Sequence, residues 1–295
     1  MTGQGVAMKR RVRLAMLTLV YTAALLITVA FIGQDSISVM NPGEVKVPII
    51  MYHSILRDKS RVNKYVVSVE SLENDMKFLF ENDYKTVFIS DLVSYVYEGT
   101  ALPEKPVVLS FDDGHYNNLV YLCPLLEKYD MVACISTVGA YTEKSTREDD
   151  GNPNYSYCTW EEIKKLSLSG RVEIVNHSFD MHSTNKGRMG AKQKSGESRE
   201  TYTKILTNDT MRNQELLRSK SGTTPICYAY PFGYYSKLSE EILRSLGFKA
   251  TLSCYERVNR ISGADSLYGM GRYNRDGRYS TEAFMRRLGI IGAGK

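Results

Sequence analysis

Cysteine, histidine and tryptophan are scarce in this chain of 295 residues, which contains five cysteines, four histidines and one tryptophan. The cysteines form no Cys-x-x-Cys pair, and their odd number would leave at least one thiol free in an exported protein. Cys134 and Cys227 lie in apolar runs, where a buried free thiol is the usual state. We therefore expect no disulfide framework.

An excess of charge is also missing from most of the chain. The net charge is +5, but four positive charges lie within residues 1–34, which contain no acidic residue, so the remainder carries only +1. A nucleic-acid-binding protein would need a basic stripe on its surface. We expect no nucleic-acid partner, and the sequence gives no sign of an obligate protein partner.

Long hydrophobic runs are limited to one uncharged stretch of 19 residues, Leu14–Ile32, which follows a basic tip. This is about the length that spans a bilayer as a helix, and the preceding charges predict a cytoplasmic N-terminus and an exported body. A cleaved signal peptide is the alternative, although its apolar core is usually shorter. We expect residues 1–33 to form a tip and single membrane anchor, residues 34–45 a linker, and residues 46–295 one domain at the cell membrane.

The domain has strand-like and helix-like patterns that alternate along the chain. Such alternation predicts an α/β fold with a parallel sheet and right-handed crossovers. About seven or eight strands are predicted, enough to close a single (β/α) barrel. Residues 141–157 are predicted to form a polar loop.

The sequence SFDDG, with Asp112 and Asp113, follows an apolar strand at residues 105–109. Burying two adjacent carboxylates is costly without a partner, and a metal ion would remove that cost. His177 and His182 follow a later strand and His53 follows the first, so a parallel barrel would bring all of them to one face. One carboxylate with two imidazoles leaves open metal positions, as in a catalytic site. The alternative is an Asp-Asp turn and a loop with two polar histidines.

The sequences SFDDG, NHSFDMH and AYPFG resemble the first three motifs of the polysaccharide deacetylases of carbohydrate esterase family 4, the NodB-homology domain. The resemblance covers roughly residues 46–275. It implies a distorted (β/α)7 barrel that hydrolyses N-acetyl groups from an N-acetylglucosamine-containing extracellular or cell-wall polysaccharide. It also implies that Asp112 is the general base and that Asp113, His177 and His182 bind a divalent metal. Zinc is the expected ion, although cobalt, nickel or iron would fit the same ligands.

Two departures from the family pattern concern the residues around the base. The arginine that begins the third motif is replaced by Ala229, and the usual late Leu-x-His, which supplies the general acid, is missing. The chain is similar to the poly-N-acetylglucosamine deacetylase branch, whose permuted motif order assigns the general acid to His53. Arg272, with Arg275 as the other candidate, is expected to replace the missing arginine beside the base.

The third motif also supplies candidate substrate contacts. By resemblance, the backbone N–H of Phe232 would donate to the oxyanion, with Tyr230 and Pro231 as neighbouring substrate contacts. Tyr230, Tyr234 and Tyr235 would form a platform for a sugar ring, unless they are ordinary packing residues.

Two other functions remain open from the sequence. A tethered polysaccharide-binding protein that has lost catalysis is suggested by Ala229 and by the missing late histidine. The intact Asp112 argues against it, because a lectin needs no free base beside a metal. A metal-dependent amidohydrolase that acts on small amides would use the same ligands.

Overall fold

The computed structural model describes residues 43–148, 151–185 and 187–290. The predicted tip and membrane anchor, and the predicted linker up to residue 42, lie outside these ranges. Within them, none of the helices has both the length and the apolar character that crossing a bilayer requires.

The strands of the described ranges are numbered in chain order. They are β1 (Val45–Val47), β2 (Ile49–Tyr52), β3 (Ser54–Leu56), β4 (Val66–Ser68), β5 (Lys85–Thr86), β6 (Pro106–Phe111), β7 (Ala133–Thr137), β8 (Val172–Asn176), β9 (Cys227–Ala229), β10 (Ala250–Leu252), β11 (Asn259–Ile261) and β12 (Tyr273–Asn274). The α-helices are α1 (Val69–Glu81), α2 (Ile89–Glu98), α3 (Cys123–Lys128), α4 (Gly139–Glu148), α5 (Trp160–Leu168), α6 (Arg199–Leu216), α7 (Lys237–Ser245) and α8 (Thr281–Arg287).

The main sheet has the strand order β10-β9-β8-β7-β6-β2-β12, and β5 pairs with the start of β6. All of these pairings are parallel, as expected where helices connect consecutive strands. An isolated parallel bridge from Leu252 to Met270 brings the segment that precedes β12 beside β10, so the two edges of the sheet approach each other. The predicted α/β class with a parallel sheet is confirmed, and this sheet is curled. Full closure as a distorted (β/α)7 barrel stays a prediction.

The two faces of the sheet bury separate apolar sets. In β6 every residue is buried, and side chains alternate between the faces with a period of two. Val107, Leu109 and Phe111 pack outward with helices α1, α3, α5 and α8. Val108 packs inward with residues of the neighbouring strands and of helix α2. By the same alternation Asp112, which follows β6, faces inward.

The prediction of a polar loop over residues 141–157 is wrong for residues 141–148, which form all but the first two residues of helix α4. The helix was hidden because its exposed residues are polar and are linked by ion pairs four residues apart, such as Lys144–Glu148. It begins directly after β7, where a Cβ on Gly139 would lie 2.5 Å from Oδ1 of Asn213. A side chain at this position would therefore separate α4 from α6.

Candidate active site

The two aspartates lie on a tight turn at the end of β6. The backbone N–H of Asp112 donates to the carbonyl of Tyr52 at 2.9 Å, which extends the pairing with β2. Asp113 (φ 73°) and Gly114 (φ 68°) then adopt left-handed backbone conformations. A non-glycine residue rarely adopts this conformation, although aspartate tolerates it better than most. The turn ends the strand and places the two carboxylates in different surroundings.

Asp112 is held by a buried arginine. Nη1 of Arg272 donates to Oδ1 of Asp112 at 2.7 Å and to Oγ of Ser110 at 2.9 Å, and both charged side chains are almost fully buried. Burial acts to raise the pKa of Asp112, but the charge of Arg272, followed by those of His177 and His53, outweighs it and lowers the pKa to about 2. Asp112 is therefore ionised at neutral pH.

The contact expected to replace the missing motif arginine is thus present. Arg272 approaches from the segment just before β12, and Ala229 leaves its own position on β9 without a polar side chain. Arg275, the other candidate, does not reach Asp112. It forms a buried ion pair with Asp75, whose Oδ2 lies 2.7 Å from Nε of Arg275.

Asp113 faces the two histidines of the NHSFDMH motif. Its Oδ1 lies 3.1 Å from Nε2 of His182 and 3.7 Å from Nε2 of His177, while its Oδ2 lies 3.5 Å from Nε2 of His115. One ligand atom from each of Asp113, His177 and His182 falls within 4.8 Å of the others. Burial acts to raise the pKa of Asp113, but its contacts with His115 and His182 lower the pKa well below its ordinary value.

The hydrogen-bonding state of His177 indicates that a cation fits between these groups. Its Nδ1 lies 2.7 Å from the carbonyl oxygen of Ala229, which can only accept, so Nδ1 carries the proton. Burial lowers the pKa of His177 to about 4, which leaves the ring neutral with a lone pair on Nε2. That lone pair faces Oδ1 of Asp113, a buried oxygen without a well-aligned hydrogen bond from the described residues. Two facing acceptors, each with an anchored side chain, form a site suited to a metal ion.

The third histidine, His53, follows β2 and lies close enough to both aspartates for their charges to act on it. Its ring packs edge-on against Tyr65, with ring centres 5.0 Å apart. Its Nδ1 is closed off from solvent and has no hydrogen-bond partner within the described residues. Burial lowers the pKa of His53, although Asp112 and Asp113 oppose this effect. His53 is therefore beside the candidate site and outside the cluster of three ligand atoms.

The PFG turn after β9 agrees only in part with the predictions. Phe232 has a left-handed backbone (φ 58°), is 41% exposed, and its ring centre lies 4.4 Å from that of His182. Pro231 is buried and shapes the turn. The prediction of Tyr230 as a sugar platform is wrong, because its side chain is fully buried and stacks on Tyr235 with ring centres 4.9 Å apart. Tyr234 remains 40% exposed.

Two residues that contact the histidine motif were missed. Tyr141 on helix α4 places its hydroxyl 3.3 Å from Nδ1 of His182. Asp209 on helix α6 accepts hydrogen bonds from the backbone N–H groups of Phe179 and Asp180. Neither residue has a local motif, because each approaches the loop from a separate helix. Their only sequence signal is polarity, which is equally typical of a solvent-exposed helix face.

The fold and the site define a class of protein: a curled parallel sheet carries a candidate metal centre, and a buried carboxylate that is not one of its ligands lies beside it. A family model described as polysaccharide deacetylase matches residues 99–251, slightly more than half of the chain. The chain belongs to this family, as the resemblance of its motifs implied.

Individual relatives are more distant. The chain is 23% identical over 236 residues to the poly-beta-1,6-N-acetyl-D-glucosamine N-deacetylase of Escherichia coli, covering 74% of this chain but only 35% of the relative. It is 26% identical over 204 residues to a putative polysaccharide deacetylase of Bacillus subtilis, covering 69% of this chain and 63% of the relative. A solved de-N-acetylase from Aggregatibacter actinomycetemcomitans has the same fold, with a TM-score of 0.70 and 21% identity over 83% of this chain and 100% of that one.

Proposed function

We propose that this protein hydrolyses N-acetyl groups on an N-acetylglucosamine-containing extracellular or cell-wall polysaccharide and releases acetate. The observation that carries the proposal is the separation of the two aspartates: Asp113 faces the histidines, while Asp112 is held 2.7 Å from Arg272 and stays free of the ligand cluster. Family membership and the names of the relatives support the N-acetyl polysaccharide as substrate class.

Asp113, His177 and His182 would hold a divalent metal, with zinc as the expected ion. Such a metal, when bound, polarises the amide carbonyl and makes the attacking water more acidic. Asp112 is placed to accept the proton of that water, because it is ionised and lies next to the ligand cluster. Arg272 restrains its carboxylate through a short hydrogen bond in a water-excluded site.

Two further groups complete the proposed reaction. His53 would donate a proton to the departing amine, so that water and the amide are converted to acetate and a free amino sugar. Burial lowers the pKa of His53, and the negative charges of Asp112 and Asp113 oppose this effect and favour the protonated ring. The backbone N–H of Phe232, on its strained turn, would donate to the tetrahedral oxyanion.

The reading as a binding protein without catalysis loses its main support. It rested on the alanine at position 229 and on the missing late histidine, but Arg272 provides the guanidinium beside the base and His53 lies next to both aspartates. A small-amide substrate has no feature of the described residues in its favour.

Two further inferences concern the closure of the sheet and the N-terminal segment. We infer that the curled sheet closes as the distorted (β/α)7 barrel, which the bridge between Leu252 and Met270 supports. We also infer that Leu14–Ile32 anchors the chain in the cell membrane, with the domain outside the cytoplasm, because this uncharged run follows a cluster of positive charges.

Acetate release by the detergent-solubilised full chain tests the proposal. The substrates would be poly-β-1,6-N-acetylglucosamine, chitin oligomers, peptidoglycan and a short N-acetyl amide, each with metal-stripped protein and with zinc restored. Zinc-dependent release from one of the polymers is expected. Release from the short amide alone would favour the small-amide hydrolase, and release from none would refute the proposed activity on these substrates.

A further inference from the structure

The two histidines of the candidate metal centre are anchored differently. His177 directly follows β8, its side chain is 1% exposed, and its Nδ1 is bonded to the carbonyl of Ala229. His182 lies five residues later in a loop that is neither helix nor strand, and its side chain is 16% exposed. Strand geometry therefore fixes His177 but cannot fix His182. Contacts from outside the loop must define its position.

The first such contact comes from Asp209 on helix α6. Its two carboxylate oxygens accept the consecutive backbone N–H groups of Phe179 and Asp180, at 2.9 Å and 2.8 Å. Burial raises the pKa of Asp209 to about 6, although the hydrogen bonds from the two backbone N–H groups oppose this effect. The same helix places the guanidinium of Arg212 3.5 Å from the ring centre of Phe179. Helix α6 thus contacts the middle of the loop in two ways: Asp209 binds two backbone N–H groups of the loop, and Arg212 packs on the ring of Phe179.

A second contact from α6 fixes the turn that starts the loop. Ser178 has a left-handed backbone (φ 74°), and its N–H donates to Oδ1 of Asn176 at 3.0 Å. The side chain of Asn213 donates to that same oxygen at 3.0 Å and to the carbonyl of Thr137 at 3.2 Å. The backbone path from β8 into the loop is therefore tied to α6 at two successive points.

The last contact acts on the ring of His182 itself. The hydroxyl of Tyr141 lies 3.3 Å from Nδ1 of His182 and 3.4 Å from its carbonyl oxygen. The carbonyl can only accept, so the hydroxyl donates to it and is free to accept the Nδ1 proton. When the ring is neutral, this arrangement leaves its lone pair on Nε2, the atom that faces Asp113 and that a bound metal would require.

We propose that Asp209 and Tyr141 are positioning residues for the metal centre: Asp209 sets the loop backbone, and Tyr141 sets the tautomer and rotation of the His182 ring. The inference rests on the proposed metal site at Asp113, His177 and His182. Groups that orient a metal ligand in this way typically change metal affinity 10–100-fold when they are removed.

The two variants remove these contacts with little change of shape. Asp209→Asn turns one of the two acceptor oxygens into a donor, which then opposes a backbone N–H of the loop. Tyr141→Phe removes a single oxygen atom. The control for Asp209→Asn is Glu200→Gln, which removes an exposed charge from helix α6. The control for Tyr141→Phe is Tyr157→Phe, because the ring centres of Tyr157 and Tyr141 lie 4.5 Å apart.

The experiment measures zinc affinity by chelator competition and the visible spectrum of the cobalt-loaded full chain. We expect both variants to lose about 10–100-fold in zinc affinity and to show an altered cobalt spectrum, while both controls match the wild type. Wild-type affinity and spectrum in folded Tyr141→Phe and Asp209→Asn would overturn the inference and leave the metal site intact. If the wild type binds zinc no more tightly than Asp113→Asn, both this inference and the proposed metal site are overturned. If Asp209→Asn does not fold, Tyr141→Phe still tests the position of His182.

Discussion

Replacing Arg272 with glutamine should raise the pH at which the protein loses activity on acidification, because this loss follows the protonation of Asp112. In the wild type, burial alone would raise the pKa of Asp112, and the nearby charges, led by that of Arg272, lower it to about 2 from an ordinary 3.8. A difference of that size is equivalent to about 2 kcal/mol in favour of the ionised carboxylate. Without the guanidinium, burial remains and the pKa of Asp112 should rise above its ordinary value.

The sign of the effect follows from this shift. A general base must be ionised, so activity is lost on the acid side as Asp112 becomes protonated. Because the wild-type pKa is lowered, that loss should fall far below neutral pH, and in Arg272→Gln it should move towards neutral pH by about two units or more. The stability that ionised Asp112 contributes above about pH 4 in the wild type, and loses as the pH falls towards 2, should disappear as well.

The assay is kcat/KM for acetate release against pH at saturating zinc, with zinc content measured on the same samples. Arg257→Gln is the matched control, because it removes an arginine whose hydrogen bond goes to the carbonyl of Gly269 and not to Asp112. Arg272→Lys keeps the charge and tests the geometry of the contact. If kcat/KM of folded, zinc-loaded Arg272→Gln falls at the same acidic pH as that of the wild type, the assignment of Arg272 as the group that keeps Asp112 ionised is refuted.

Three other changes test separate parts of the structure. His53→Ala should lower kcat for acetate release by about 10²–10⁴-fold with unchanged zinc content, since His53 lies outside the ligand cluster; unchanged kcat would remove its role as acid. Asp75→Asn should cost about 3–5 kcal/mol in the free energy of urea unfolding, because it leaves Arg275 buried and unpaired; a cost below 1 kcal/mol would show that the pair is not needed. Gly139→Ala should lower the melting temperature and loosen zinc binding, because its Cβ would lie 2.5 Å from Asn213; wild-type values of both would contradict this packing argument.

The sequence was sufficient to find the candidate site residues that lie in short motifs. Asp112, Asp113, His177 and His182 follow strands in the order that a parallel sheet requires, and the structure brings them together. Their meeting at one edge of the sheet followed from the order of the strands, whereas their separate roles were implied by the resemblance of their motifs to a known family.

Other residues depended on contacts that are distant along the chain. Arg272 lies 160 residues from Asp112, so it could be proposed only as one of two arginines, and the structure separates it from Arg275. Tyr230 was misplaced because the sequence does not show which way an aromatic residue at a strand end points. Tyr141 and Asp209 gave no signal beyond their polarity, since each acts across a helix-to-loop contact without a motif.

The central claim is that two neighbouring aspartates have different tasks, and one paired measurement tests it. Zinc content and acetate release would be measured on the same preparations of wild type, Asp112→Asn and Asp113→Asn. We predict that Asp112→Asn keeps its zinc and loses acetate release, whereas Asp113→Asn loses both. Loss of zinc in Asp112→Asn with retention in Asp113→Asn, or full acetate release in Asp112→Asn, would contradict the account.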